Sequence, residues 1–151
     1  MFEILIYLFE SYIDAGSYPA PDKLSRKLYA AGFEADDIDD TLNWLSALKL
    51  QTPENYPDSL AHTGMRCFAE LELDRIGFEA RQFILFSEQQ SMISAVEREI
   101  IIDRAVALQQ KELGLEKLKL IMLIVLWNRR QDLNPLLIEE LLNPLQSSQL
   151  H

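Results

Sequence analysis

Leu115-Glu116-Lys117-Leu118-Lys119-Leu120-Ile121-Met122-Leu123-Ile124-Val125-Leu126-Trp127-Asn128 is the stretch whose reading decides the fold. It is polar on one side for its first turn and apolar on every side after Lys119. A helix with no polar face has to be surrounded by other elements, so this segment is expected at the centre of the molecule. A buried strand is the competing reading for Ile121 to Leu126, but Leu and Met favour the helix. The unbroken apolar run, Leu120 to Trp127, is too short to cross a bilayer, which takes about 20 residues.

Working outward, Gly114 separates this helix from a preceding one. Ser94-Ala95-Val96-Glu97 matches a capping box and predicts a helix from there to about Gln110. Glu70 to Gln90 reads as a further helix with Gly77 as a possible kink. On the other side, Asn134-Pro135 opens a short last helix and Asn143-Pro144 closes it.

The N-terminal third gives three helices. Phe2 to about Ile13 places Leu5, Leu8, Phe9 and Tyr12 on one face, with Ile6 widening it, and Gly16-Ser17-Tyr18-Pro19 ends it. Pro21 to Ala31 has proline and Asp22 in its first turn, an inner stripe of Leu24, Leu28 and Ala31, and Gly32 as a left-handed stop. The third, within Phe33 to Leu48, lines up Ile38, Leu42, Leu45 and Leu48 behind the N-terminal charges of Asp36 and Asp37. Residues 50–64, punctuated by Pro53, Asn55, Pro57, Asp58 and Gly64, are a long connection of the mobile or functional kind. Met65 to Phe68 reads as a short extended piece.

The expectation is therefore an all-α fold, a compact bundle of six to seven helices. An N-terminal three-helix unit joins a C-terminal helical unit in a single domain over 1–151, with 1–49 and 65–151 as the possible subdivision. A chain of this length buries about 68–70% of its unfolded surface and needs no disulfide or metal for stability.

Charge bounds the function. The net charge is −10, with 14 Lys and Arg against 24 Asp and Glu. The surplus lies in the first 100 residues, and the remainder is neutral. Such a surface repels phosphate backbones and anionic membranes and accepts basic partners. Met1 to Glu10 has the hydropathy of a signal segment, but it lacks a basic start and a small-residue cleavage site, and Glu3 and Glu10 bracket it. With one cysteine, Cys67, the reading is a cytoplasmic protein with no membrane association.

Several segments resemble the bacterial Smg family in order. They are MFEILIYLFESYI at the start, then DKLSRKLYAAGFEADDIDDTLNWLSAL, GMRCFAELE, FILFSEQ, IDRAVAL and LIVLWN, and they extend the likeness from Met1 to His151. The resemblance implies a helical, cytoplasmic protein of uncharacterised function whose gene often neighbours that of a DNA-processing factor. It brings no catalytic residues. Residues 22–48 also resemble the three-helix units of RecX-type recombination regulators, through Leu24, Leu28, Gly32-Phe33, Ile38, Leu42 and Leu45.

No set of residues carries recognisable chemistry. In a helix-turn-helix reading the third helix would enter the major groove, yet it carries Glu34, Asp36, Asp37, Asp39 and Asp40 and no cation before Lys49. The basic residues Lys111, Lys117, Lys119, Arg129 and Arg130 are the alternative for nucleic acid, although Arg129-Arg130 is also what a helix C-terminus attracts. A metal site would need more than His62, Cys67 and His151. The apolar flanks Met65 and Phe68 suit a small buried Cys67 better than a nucleophile. The carboxylate pairs Glu70/Glu72/Asp74, Glu97/Glu99 and Glu139/Glu140 read as solvated faces, with Arg75 and Glu79 an exposed ion pair.

Hence no catalytic residue, cofactor or metal is expected. The leading reading is a non-enzymatic interaction or regulatory protein. Its candidate partner surface is Glu34, Asp36, Asp37, Asp39, Asp40 and Trp44 with the loop 50–64, its partner is a protein with basic character, and its oligomeric state is open. Trp44 lies off the main stripe, so it either serves as an exposed hot spot or buries a second face.

Overall fold

A computed structural model describes residues 1–51, 66–130 and 132–150, with 143–150 given by their backbone alone. The fold is all-α. Among the described residues eight helices run α1 (Phe2–Tyr12), α2 (Pro21–Ala30), α3 (Ala35–Leu50), α4 (Glu70–Arg75), α5 (Phe78–Gln89), α6 (Ala95–Ala107), α7 (Leu115–Arg129) and α8 (Pro135–Leu150).

The central helix is where its sequence puts it. Every residue of α7 from Leu118 to Trp127 is buried. It packs against α1, α5, α6 and α8, while α3 packs against α1, α2 and α6. Phe9 of α1 meets the Trp127 ring edge-on at 5.4 Å, which ties the start of the chain to its last third. The core is one continuous cluster fed by both halves of the sequence.

The local signals hold at α2 and α6. Pro21 starts α2, and Gly32 takes φ +101° just beyond its end. Ser94 Oγ accepts from the Glu97 amide at 3.1 Å while the Glu97 carboxylate accepts from the Ser94 amide at 2.9 Å, the reciprocal box that starts α6.

Four expectations change. The helix expected over Glu70 to Gln90 is two helices, which raises the count to eight. Ile76 leaves the helix to form an isolated parallel bridge with Leu113, and the Gly77 amide donates to the Leu113 carbonyl at 2.9 Å. A Cβ on Gly77 would lie 2.9 Å from that same oxygen, so glycine permits the approach. Asn143-Pro144 does not close α8, which continues to Leu150. Proline in a helix interior removes one N–H donor and crowds the carbonyl four residues earlier, so α8 runs through Pro144 with one backbone hydrogen bond fewer. Ala31 is exposed and leaves the inner stripe of α2 to Leu24 and Leu28. Residues 66–69 carry neither helix nor strand, and Met65, like 52–64 of the connecting segment, lies outside the described residues.

Candidate functional site: an acidic face and a cation-lined cavity

The five carboxylates of the expected surface lie at the start of α3. Glu34 stands just before its first residue, Asp36 and Asp37 occupy its first turn, Asp39 and Asp40 follow, and all five are exposed. Among the described residues none of them pairs with a lysine or arginine, whereas Glu72, Glu88, Glu97, Glu99, Asp103 and Glu140 all do.

Trp44 does not belong to that face. It is 5% exposed and sits between α3 and α6. Its position, one residue before Leu45 and three after the buried Thr41, puts it on a second buried stripe of α3. The exposed aromatic beside the acidic face is Tyr29, 70% exposed, at the end of α2. It borders a groove of about 350 Å³ between α2 and α3 whose walls include Arg26, Ile38 and Asp39. Sequence reading passed over Tyr29 because nothing in α2's spacing marks which polar-face residue neighbours α3.

The expected basic group is dispersed. Lys117 lies over the Phe2 ring at 5.0 Å, and Lys119 is largely buried over Phe83, 3.9 Å from Glu140. Arg129 and Arg130 are at the other end of α7, about 18 Å along its axis from Lys117. Arg130 donates to both oxygens of Glu97, at 2.7 and 3.0 Å, and to the Met92 carbonyl at 2.9 Å. Glu97 is 5% exposed. Burial opposes its charge, but Arg130, the Ser94 amide and the nearby Arg129 outweigh it and hold the carboxyl below the usual carboxylate range.

Beside this pair opens a cavity of about 530 Å³, lined by Tyr18, Lys49, Trp127, Asn128, Arg129 and Arg130 among others, and among the described residues by no carboxylate. Tyr18 donates to Asn128 Oδ1 at 2.7 Å and packs edge-on against Trp127. Its burial pushes the phenol up to about 12, against the pull of the Asn128 bond. Lys49 Nζ stands 4.7 Å over the Tyr18 ring.

The carboxylates read as solvated are partly structural. Arg66 bonds Glu72 and Glu99, and Arg98, 2% exposed, bonds Glu99 and Glu88. This alternating chain of charges ties the 66–69 segment to α4, α6 and α5. Arg75 is not the partner of Glu79; it donates to the Val106 carbonyl at 2.8 Å. Cys67 is exposed, contrary to the buried reading, because the side chains on either side of it, Arg66 and Phe68, take the half-buried positions. His62 and His151 lie outside the described residues, among which no three His, Cys, Asp or Glu converge as metal ligands. Within the same residues no helix is long and apolar enough to cross a membrane.

Comparison with known proteins covers the whole chain. A family described as "Protein of unknown function (DUF494)" matches residues 1–151. A protein of Bordetella pertussis named "Protein Smg homolog" is 44% identical over 154 residues, spanning 100% of both chains. The chain belongs to the Smg family. Other Smg homologs agree along their length. That of Azoarcus sp. is 44% identical over 95% of this chain and 93% of its own, and that of Nitrosomonas europaea is 41% identical over 100% of both. No solved structure matches. Smg membership supplies no ligand or reaction, so function has to be argued from the two surfaces above.

Proposed function

We propose that this Smg-family chain is a non-enzymatic, cytoplasmic interaction module that engages a basic protein segment through the acidic face of α3. The observation that carries the reading is the density of charge: Glu34, Asp36, Asp37, Asp39 and Asp40 fall within seven positions at the start of α3, all exposed and, among the described residues, without an ion pair. Like charges held this close cost self-repulsion that a basic partner relieves. Tyr29 and the α2–α3 groove supply the aromatic anchor that Trp44 does not, in the manner of an interface hot spot.

The dispersal of the basic residues along α7 leaves no continuous phosphate-tracking stripe and supports the protein partner over nucleic acid. The test is capture from the organism's own lysate, treated with nuclease, by wild type, by a quadruple Lys variant at Asp36, Asp37, Asp39 and Asp40, and by Tyr29→Ala. The reading expects a partner that resists nuclease, is retained by wild type and is shed by both variants at unchanged thermal stability. Equal capture by the charge-reversed protein overturns it.

A further inference from the structure

We propose that the cavity between the end of α7 and the Tyr18 segment binds the phosphate group of a small organic phosphate, with Arg129 and Lys49 as its cationic ligands. The proposal does not rest on the acidic-face reading.

Arg129 is the first argument. Its side chain is only 22% exposed, yet among the described residues its guanidinium donates no hydrogen bond, and its Nε is buried without a partner. Its one charge contact is Glu97, 3.9 Å away and already bonded twice by Arg130. A guanidinium carries five N–H donors in a rigid fork; burying the Nε donor without a partner is costly, and the terminal donors have no protein partner among the described residues. The indole N–H of Trp127, another lining residue, is likewise buried and unpartnered.

The charge count is the second. Lys49, Arg129 and Arg130 line the cavity, among the described residues no carboxylate does, and Glu97 behind it neutralises one of the three. Two positive charges remain in a chain of net −10. The C-terminal ends of α7 and α3, which bring Arg129 and Lys49 to the cavity, each oppose them with about half a charge, which leaves a surplus of about one positive charge. A phosphate monoester, carrying about −1.5 to −2 at neutral pH, is attracted by that surplus. Arginine's planar fork suits phosphate geometry, and lysine adds a point charge.

Shape is the third. About 530 Å³ is ligand-sized, and Leu48, Tyr18 and Trp127 among its lining residues offer apolar contact to the organic part.

The experiment is nitrogen-15 NMR of the intact chain, following the Trp127 indole resonance during titration with adenosine monophosphate and, separately, inorganic phosphate, at constant ionic strength up to about 20 mM. Arg129→Gln, Lys49→Gln and Lys117→Gln, the last at the far end of α7, are titrated alongside, each first shown to melt like wild type. Saturable binding of the monophosphate, weakened about tenfold or more in the Arg129 and Lys49 variants and unchanged in the Lys117 variant, is the expected result. No saturation, or equal binding by the Arg129 variant, overturns the proposal. Inorganic phosphate binding as tightly as the monophosphate also overturns it, leaving an adventitious ion only.

Discussion

Trp44 and Arg104 hold one another by exchanged bonds. The indole N–H of Trp44 donates to the Arg104 carbonyl at 3.1 Å, the Arg104 guanidinium donates back to the Trp44 carbonyl at 3.2 Å, and that guanidinium stands 5.7 Å from the indole ring. Both residues are buried, and the pair joins α3 to α6 across 60 positions of sequence. The side chain most suited to recognising a partner is instead what fastens the acidic helix to the core.

Replacing Trp44 therefore acts on stability. Trp44→Ala is expected to cost about 3–5 kcal/mol, for the emptied space and the unmatched Arg104 groups. Trp44→Phe keeps most of the ring and loses one hydrogen bond, about 1–2 kcal/mol. Urea denaturation measures both. An alanine variant as stable as wild type contradicts this placement.

Glu97 links stability to acid. Its carboxyl titrates lower in the folded chain than in the unfolded one, so its contribution is complete above the unfolded value near 4.5 and declines as pH falls through the lower folded value. Glu97→Gln leaves Arg130 without its charge partner and weakens the capping box, for an expected loss of about 2–3 kcal/mol at pH 7. The difference between variant and wild type shrinks as the solution is acidified below that range. A difference that stays constant down to the acid limit of folding counts against the assignment.

At high pH the sensitive group is Tyr18. With its phenol raised to about 12, the folded chain keeps the proton that the unfolded chain gives up near 10, so stability falls as pH rises from about 10 to 12. Tyr18→Phe removes that slope, which amounts to at most about 2 kcal/mol once partial solvent screening is allowed for. Parallel alkaline slopes for the two proteins would exclude Tyr18 as the cause.

Gly77 and Gly114 should respond unequally to the same change. An alanine at 77 meets the Leu113 carbonyl at 2.9 Å, and the backbone there is pinned by bonds from Glu112 to Asp74 and from Leu113 to Arg75. The cost is about 1–3 kcal/mol. Gly114 has open space around its Cβ position and a negative φ, so its alanine variant stays within about 0.5 kcal/mol of wild type. Thermal melts of the two variants make the comparison.

What the sequence disclosed was whatever local spacing encodes. The apolar circumference of α7, the Ser94–Glu97 box and the Gly32 stop each depend on residues within a few positions of one another, and each is present. What it concealed depends on distant neighbours. Glu97 announces its capping role locally, but its partner Arg130 lies 33 residues on. Trp44 sits off the Leu stripe, and only the packing of α6 on α3 shows that a second face is buried. The break at Ile76 has a local hint in Gly77, yet its cause is the bridge to Leu113. The two candidate surfaces divide the same way. The acidic run is contiguous and legible, whereas the cavity collects Tyr18, Lys49 and Arg129 from three separate places.

The meeting of Phe9 with Trp127 also sets a timetable. Roughly 120 residues separate the two, and at about 5–20 residues per second the ribosome takes some 6–24 s to deliver the second after the first. For that interval Leu5, Leu8 and Phe9 have no α7 to cover them, so the nascent chain presents its stickiest helix first and its shelter last.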